Sequence, residues 1–114
     1  MAAHAQLQIE SRRESDRVVI TMEGELDMAN APALQEVIES DELASGEAVV
    51  LDLQGLTFLD STGLRVILAV RELCRRRDQE FAVTPGSAQV QRLLSVTGVG
   101  EHLHTIATTG ELLS

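Results

Sequence analysis

VVLDLQGLTFLDSTGLRVILAVREL is the sequence from Val49 to Leu73. Within it, the spacing of the apolar residues changes from that of a strand to that of a helix. Its first five residues, Val49 to Leu53, form a short apolar run rich in Val and Leu, which is typical of a strand covered on both faces. A brief connection follows from Gln54 to Leu59. From Leu64 onward, apolar residues recur at the spacing of a helix. This segment therefore predicts a strand, a short loop and a helix.

The predicted helix has one apolar face and one polar face. Its outward stripe contains Arg65 and Glu72, and Arg75 to Arg77 follow at its C-terminal end, where the helix dipole favours cations. The single cysteine, Cys74, has no partner for an internal disulfide, so we expect it to pack in the core. The apolar positions are Leu64, Val66, Ile67, Leu68, Val70, Leu73 and Cys74.

The helix begins at the sequence DSTG, residues Asp60 to Gly63. Asp, Ser and Thr are favoured N-cap residues, and Gly63 leaves the first turn free of side-chain bulk. The unpaired N–H groups and the positive end of the dipole also hold anions well at this position. Two interpretations follow. Either DSTG is a cap alone, or it exposes a hydroxyl beside an acid where a phosphate is tolerated.

The composition indicates one α/β domain over residues 1–114, with a core from about 7 to 107 and short flexible termini. Apolar residues make up 44% of the chain, and two Phe are its only aromatic side chains besides histidine. A formal net charge of −9 argues against nucleic acid or an anionic membrane as a partner. All nine basic residues are Arg, so chemistry that needs a lysine is excluded.

The sequence also predicts a cytoplasmic protein. The first six residues are too short for a signal peptide, and Arg12 and Arg13 interrupt any apolar run that follows them. No apolar segment approaches the roughly 18 residues that a membrane-spanning helix needs.

Before the central segment, two strands and one helix are expected. Leu7 to Arg12 alternates apolar and polar residues, Arg17 to Glu25 is rich in β-branched residues, and a hairpin joins them. Asp27 is placed to cap a helix from about Met28, with Pro32 tolerated near its start. The buried side of that helix would contain Ala29, Ala33, Leu34, Val37, Ile38 and Leu43, before Ser45 and Gly46 close the segment.

After the central helix, the pattern predicts a short strand, a helix and a terminal turn. Phe81 to Val83 is the strand, and Ser87 caps a helix whose apolar residues are Val90, Leu93, Leu94 and Val96. Leu103 to Ile106 is either a last strand or a turn, and the tail beyond is expected to fray. Alternating strands and helices after a hairpin indicate a mixed sheet, and α/β sheets gather their sites at the C-terminal strand ends.

Three other kinds of functional site each match a single motif of the chain, and each lacks residues that the site would need. Asp52 at the end of a strand is typical of a receiver domain, but that site also needs a lysine. Asp60 in FLDSTG resembles an aspartic-protease motif, but two hydroxyl residues separate it from Gly63. His102 and His104 lack a third ligand for zinc, so a surface location is favoured. The sequence therefore predicts no catalytic residue, metal site or cofactor.

Three segments together resemble the STAS domain, and more narrowly the bacterial anti-sigma factor antagonists. They are GELD at Gly24 to Asp27, LDLQGLTFLDSTGLRVIL at Leu51 to Leu68, and VQRLLSVTGVGEHLHTI at Val90 to Ile106. They follow the order and spacing of that family, and DSTGL is the specific part. The resemblance implies a mixed sheet of four to five strands packed against helices.

The resemblance also implies a function. An antagonist of this family binds an anti-sigma factor, often a serine kinase of the histidine-kinase-like ATPase fold, and so frees a sigma factor. The kinase then phosphorylates the serine of the motif, which is Ser61 here, and a phosphatase resets the switch. The partner-facing residues would be Asp27, Asp60, Ser61, Thr62, Gly63 and Arg65.

One residue departs from the family pattern, and one alternative function stays open. Arg65 stands where the family often has glycine, so it changes partner choice or pairs with the phosphate. Other STAS domains act as plain interaction subunits of transporters or larger signalling assemblies. An intact Ser61 in a chain of this length favours the sigma-regulating branch.

Overall fold

The structure is a computed structural model that describes residues 7–39, 47–111 and 113. Within these residues the chain forms four strands, three α-helices and one short 3-10 helix at Val99–His102. The expected buried Leu43 and the closing Ser45 and Gly46 lie outside the described residues. In chain order the elements are β1 Leu7–Glu14, β2 Arg17–Leu26, α1 Ala31–Glu39, β3 Ala48–Leu59, α2 Ser61–Arg76, β4 Phe81–Val83 and α3 Ala88–Thr97.

The strands form one mixed sheet in the order β1-β2-β3-β4, so the α/β architecture expected from the sequence is confirmed. β1 and β2 are an antiparallel hairpin whose pairing runs from Leu7 with Gly24 to Glu14 with Arg17. β2 pairs with β3 in parallel, and β3 pairs with β4 in parallel. Because parallel neighbours need a crossover connection, α1 and α2 lie between these strands in the chain.

β3 is longer than its hydrophobic run, and the predicted loop from Gln54 to Leu59 is wrong. These residues continue to pair with β2 as far as Leu26 with Leu59, with register shifts between Thr21 and Glu23 and between Gly24 and Glu25. Leu56 and Leu59 are both fully buried although they are three positions apart and would face opposite sides of a regular strand. A β-bulge changes which side chains face the core, so apolar and polar residues no longer alternate strictly. For this reason the sequence pattern predicted a loop here.

The sheet is buried on both faces, and two clusters of side chains form its core. Val49 and Leu51 point toward the helices, whereas Val50 faces the opposite side. This alternation explains why the run from Val49 to Leu53 is apolar at almost every position. The smaller cluster on the far face contains Val19, Val50, Ala82 and Ile106, with half-buried Leu113 packed against it.

α1 begins at Ala31, three residues later than expected. A turn precedes it, in which the carbonyl of Asp27 accepts hydrogen bonds from the N–H groups of Asn30 and Ala31 at 3.1 and 2.8 Å. The Asn30 side-chain oxygen accepts from the Asp27 N–H at 2.9 Å, which closes this turn. The buried face of the helix also differs in part from the expected one: Ala31, Leu34 and Ile38 are buried and Val37 is half-buried, whereas Ala29 and Ala33 are exposed.

α3 is capped as expected, but one of its apolar residues faces solvent. The Ser87 hydroxyl accepts a hydrogen bond from the Val90 N–H, and Gly98 ends the helix in the left-handed conformation at φ 76°. Leu94 is buried, whereas Val96 is 77% exposed, so the expectation for Val96 is wrong. Two residues turn a helix by about 200°, which places Val96 almost opposite Leu94.

The segment after α3 packs against β4 and the far face of the sheet. Leu103 and Ile106 are buried, and Thr105 forms a single parallel bridge with Val83. This segment is therefore a turn with one bridge and not a strand. The tail, expected to fray beyond residue 107, bonds through its Thr109 and Glu111 carbonyls, which accept from the Arg17 guanidinium at 3.0 and 2.7 Å.

Candidate functional site

The GELD and DSTG motifs meet at the C-terminal edge of the sheet. Leu26, the last residue of β2, pairs with Leu59, the last residue of β3. Asp27 follows the first of these residues and Asp60 the second. Because the two strands are parallel and adjacent, the connections that follow them lie side by side at one edge. The structure therefore brings together the two motifs that the sequence resemblance assigned to one surface.

Asp60 is the centre of the hydrogen-bonding network at this edge. It is the N-cap of α2, with extended backbone at φ −107° and ψ −177°, and its Oδ1 accepts from the Gly63 N–H at 2.8 Å. Its Oδ2 accepts from the Met28 N–H at 3.1 Å, in the turn that follows β2. The Asp60 N–H donates to the Leu26 carbonyl, and the Asp60 carbonyl accepts from Leu64. One carboxylate thus caps a helix and fixes the neighbouring turn.

Gly63 has a packing role that the sequence did not reveal. It is buried in the first turn of α2, against the ends of β2 and β3. A Cβ at this position would lie 2.7 Å from the Leu26 carbonyl oxygen and 2.8 Å from Cδ1 of Leu59. Any side chain would therefore push the helix start away from the sheet edge.

Ser61 is the first residue of α2, and its side chain is exposed. Thr62 is half-buried, and Arg65 is exposed one turn later. Among the described residues, the backbone N–H groups of Ser61 and Thr62 have no hydrogen-bond acceptor, whereas that of Gly63 is bound to Asp60. Two free N–H groups beside an exposed hydroxyl can receive an anionic group at the positive end of the helix dipole.

Asp27 lies beside this network, and its role differs from the predicted one. Its Oδ1 accepts a hydrogen bond from the Ala29 N–H at 3.0 Å, within the turn that precedes α1. Asp27 therefore stabilises that turn, and the expectation that it caps a helix starting at Met28 is wrong. The half-buried carboxylate remains at the same sheet edge as Ser61.

Sequence reasoning missed two apolar side chains at this edge. Met28 is 74% exposed in the turn before α1, and Phe58 is 38% exposed two residues before Asp60. The methionine directly after GELD is visible in the sequence, but a helix was expected to start at this residue, so the exposure of its side chain was not predicted. Its exposure depends on the turn, which no periodicity shows.

The other polar candidates have structural or surface positions. The Asp52 carboxylate accepts hydrogen bonds from the Thr84 hydroxyl and the Gln54 N–H, and so ties β3 to the end of β4. His102 and His104 are exposed, as expected. No cluster of three metal-ligating side chains occurs among the residues that the structure describes. Within the same residues, no helix combines the length and apolarity required to cross a membrane.

Comparison with known proteins places this geometry in a family. The chain is 29% identical over 100 residues to the anti-sigma-B factor antagonist of Listeria monocytogenes, covering 88% of each protein. The crystal structure of an anti-sigma factor antagonist from Mycobacterium paratuberculosis superimposes with a TM-score of 0.81 at 27% identity, covering 91% of this chain and 88% of the other. The phosphorylated form of the Bacillus cell fate determinant SpoIIAA shares the fold with a TM-score of 0.65 at 19% identity, covering 89% and 91%. A family model for the STAS domain matches residues 8–112, and the chain belongs to the STAS domain family.

Proposed function

We propose that this chain is an anti-sigma factor antagonist of bacteria. It binds an anti-sigma factor in the cytoplasm through the sheet edge at the start of α2, and so frees a sigma factor. The names of its relatives in Listeria and Mycobacterium support this function. The chain acts by binding and has no catalytic step of its own.

Phosphorylation of Ser61 is the proposed switch, and the anti-sigma factor is the serine kinase that performs it. The observation that carries this proposal is the exposed Ser61 hydroxyl at the first position of α2, beside two N–H groups that have no acceptor in the described part of the chain. A phosphate adds about −1.5 to −2 charges at neutral pH. The helix start can hold that charge, so the fold survives the modification. A phosphatase returns the protein to its binding form.

The partner does not tolerate the same phosphate. Ser61 follows Asp60, so a phosphoryl group adds a dianion next to a carboxylate that already uses both oxygens within the fold. Like charges in a desolvated interface cost several kcal/mol. Because ~1.4 kcal/mol is tenfold in affinity, a cost of about 3 kcal/mol releases a complex held at micromolar strength.

The remaining site residues have distinct proposed roles on the partner surface. Asp27 lies at the same sheet edge as Ser61, Thr62 follows Ser61 in α2, and Gly63 lets α2 start close to the sheet. Arg65 is exposed one turn after the serine and forms no ion pair with the described residues. Its guanidinium is therefore available to an acidic group of the partner or to the phosphate, and it tunes which anti-sigma factor binds.

The test uses purified anti-sigma factors of the source organism and three forms of the protein. Wild type should bind one of them and be phosphorylated on Ser61 in the presence of ATP, as shown by peptide mass spectrometry. Ser61→Ala should bind permanently, and Ser61→Asp should bind poorly while its circular dichroism spectrum stays native. Phosphate on Thr62 alone, or full phosphorylation of Ser61→Ala, would contradict the assignment. Association with transporter subunits in place of an anti-sigma factor would replace the proposed function with a STAS subunit of such an assembly.

A further inference from the structure

Met28 is an exposed apolar side chain on a backbone that is held in place. Its side chain is 74% exposed, and three large apolar residues are exposed among those the structure describes: Met28, Phe58 and Val96. Single exposed apolar residues are common on protein surfaces and need no explanation alone. Met28 differs because its N–H donates to Oδ2 of Asp60, the residue directly before Ser61.

The Asp60 carboxylate connects the position of Met28 to the phosphorylation site. Oδ1 holds the first turn of α2 through Gly63, and Oδ2 holds the turn after β2 through Met28. The turn is closed on its other side by Asn30, whose side-chain amide also donates to the Glu25 carbonyl at 2.7 Å. Met28 is therefore presented beside Ser61 by a short network of hydrogen bonds. A segment whose backbone is already fixed loses less entropy on binding than a mobile segment.

We propose that Met28 is an apolar anchor of the partner surface and that Asp60 is the residue that positions it. This inference rests on the proposed function, since the partner is the same anti-sigma factor. Met28 enters an apolar pocket on that protein, and the half-exposed ring of Phe58 packs at the rim of the contact. Methionine suits this role because its unbranched, polarisable side chain fills pockets of irregular shape.

The charges at this edge indicate what surrounds the pocket on the partner. Glu25, Asp27 and Asp60 lie at the ends of β2 and β3 beside Met28. A second copy of this chain would bring the same three carboxylates together, with Arg65 as the cation of the partner surface, on a protein whose net charge is −9. Like-charge contact of that kind is unfavourable, so the edge fits a different protein with a cationic rim around an apolar pocket. Continuity with Ser61 identifies that protein with the partner that the phosphate expels.

The test is a double-mutant cycle between Met28 and Asp60, measured as affinity for the purified anti-sigma factor that binds wild type. Met28→Ala should weaken binding by about tenfold or more, as truncation of an interface anchor does. Met28→Leu should restore most of the affinity. Asp60→Asn keeps one oxygen, so it can accept from Gly63 or from Met28, but not from both. It should weaken binding in the wild-type background and add little in the Met28→Ala background.

Val96→Ala is the matched control, because Val96 is 77% exposed on α3, an element that contributes nothing to the Ser61 network. Its affinity should equal that of wild type. If wild type binds no anti-sigma factor, the proposed function fails and this inference fails with it. If wild type binds and Met28→Ala binds equally well, the anchor is overturned while the function stands. If Asp60→Asn costs the same with and without Met28, the positioning role is overturned.

Discussion

At Gly63, the first turn of α2 lies so close to the ends of β2 and β3 that no side chain fits between them. Replacing it by alanine adds a methyl group whose carbon would lie 2.7 Å from a backbone carbonyl oxygen, which cannot rotate away. Alanine in a helix gains about 1 kcal/mol over glycine, whereas overpacking costs about 1–3 kcal/mol. We expect Gly63→Ala to lower the free energy of unfolding by up to about 2 kcal/mol, because the cost of the overlap exceeds the gain in helix propensity.

Urea unfolding followed by far-UV circular dichroism measures this effect, since the chain has no Trp or Tyr for fluorescence. Gly110→Ala is the control, because nothing lies within 4 Å of a Cβ at Gly110. Its stability should change by about 0.5 kcal/mol or less. Equal stability of the two variants would show that α2 can shift without cost.

Residue identity alone predicted part of this site. Residue types predicted that DSTG caps a helix, and the structure confirms this with Asp60 as the N-cap. They left open whether the motif also exposes a hydroxyl, and Ser61 is exposed. The close approach at Gly63 and the bond from Met28 to Asp60 join residues from different parts of the chain. Such contacts depend on strand register, which local patterns do not specify.

At the scale of elements, α2 shows how a helical period becomes a buried face. Leu64, Ile67, Val70 and Cys74 are buried against the sheet, and Arg65 and Arg76 are exposed, as the sequence predicts. β3 and α1 departed from prediction because a bulge and a turn interrupt their periods. Hydrophobic periodicity identifies a helix or strand only where one regular backbone geometry continues over several residues.

The burial of α2 has a consequence for the chemistry of Cys74. Burial raises the pKa of this thiol to about 11, and the positive charge of Arg77 opposes that increase. The usual value for a thiol is about 8.5, so the folded state disfavours the thiolate. The free energy of unfolding is therefore unaffected by this thiol below the pKa of the unfolded form. It falls as the pH rises from that value toward about 11.

We therefore expect Cys74 to resist alkylation in the native protein. Alkylating reagents attack the thiolate, which is rare in the folded state near pH 8.5. Iodoacetamide should modify the native protein at least about 100-fold more slowly than the urea-unfolded protein, as followed by intact mass. Equal rates in the two states would mean that the end of α2 opens faster than the reagent reacts.

At the scale of the whole molecule, the two faces of the sheet are covered by different parts of the chain. The helices cover one face, and the segment around Ile106 covers Val19, Val50 and Ala82 on the other. The apolar run of β3 predicted that both faces are covered. It did not predict what covers the second face, because the tail has few apolar residues and no clear period.

Arg17 joins this tail to the hairpin. Its side chain is only 6% exposed, and its guanidinium donates to the carbonyls of Thr109 and Glu111 and to the carboxylate of Asp16. Hydrogen bonds from a charged donor contribute about 1.5–3 kcal/mol, and the guanidinium that makes these bonds is itself buried. The position of this charge therefore couples the end of the chain to the start of β2.

We expect Arg17→Gln to lower the free energy of unfolding by about 2 kcal/mol and to loosen the tail. The Ile106 N–H, which donates to the Val83 carbonyl, should then exchange faster with deuterium than in wild type. Arg12→Gln is the control, because Arg12 lies on the same hairpin with its side chain 46% exposed and pairs with Glu14. Replacing Arg12 should lower the free energy of unfolding by about 0.5 kcal/mol or less. If both variants unfold at the same urea concentration and Ile106 exchanges as in wild type, the tail is held by apolar packing and Arg17 does not anchor it.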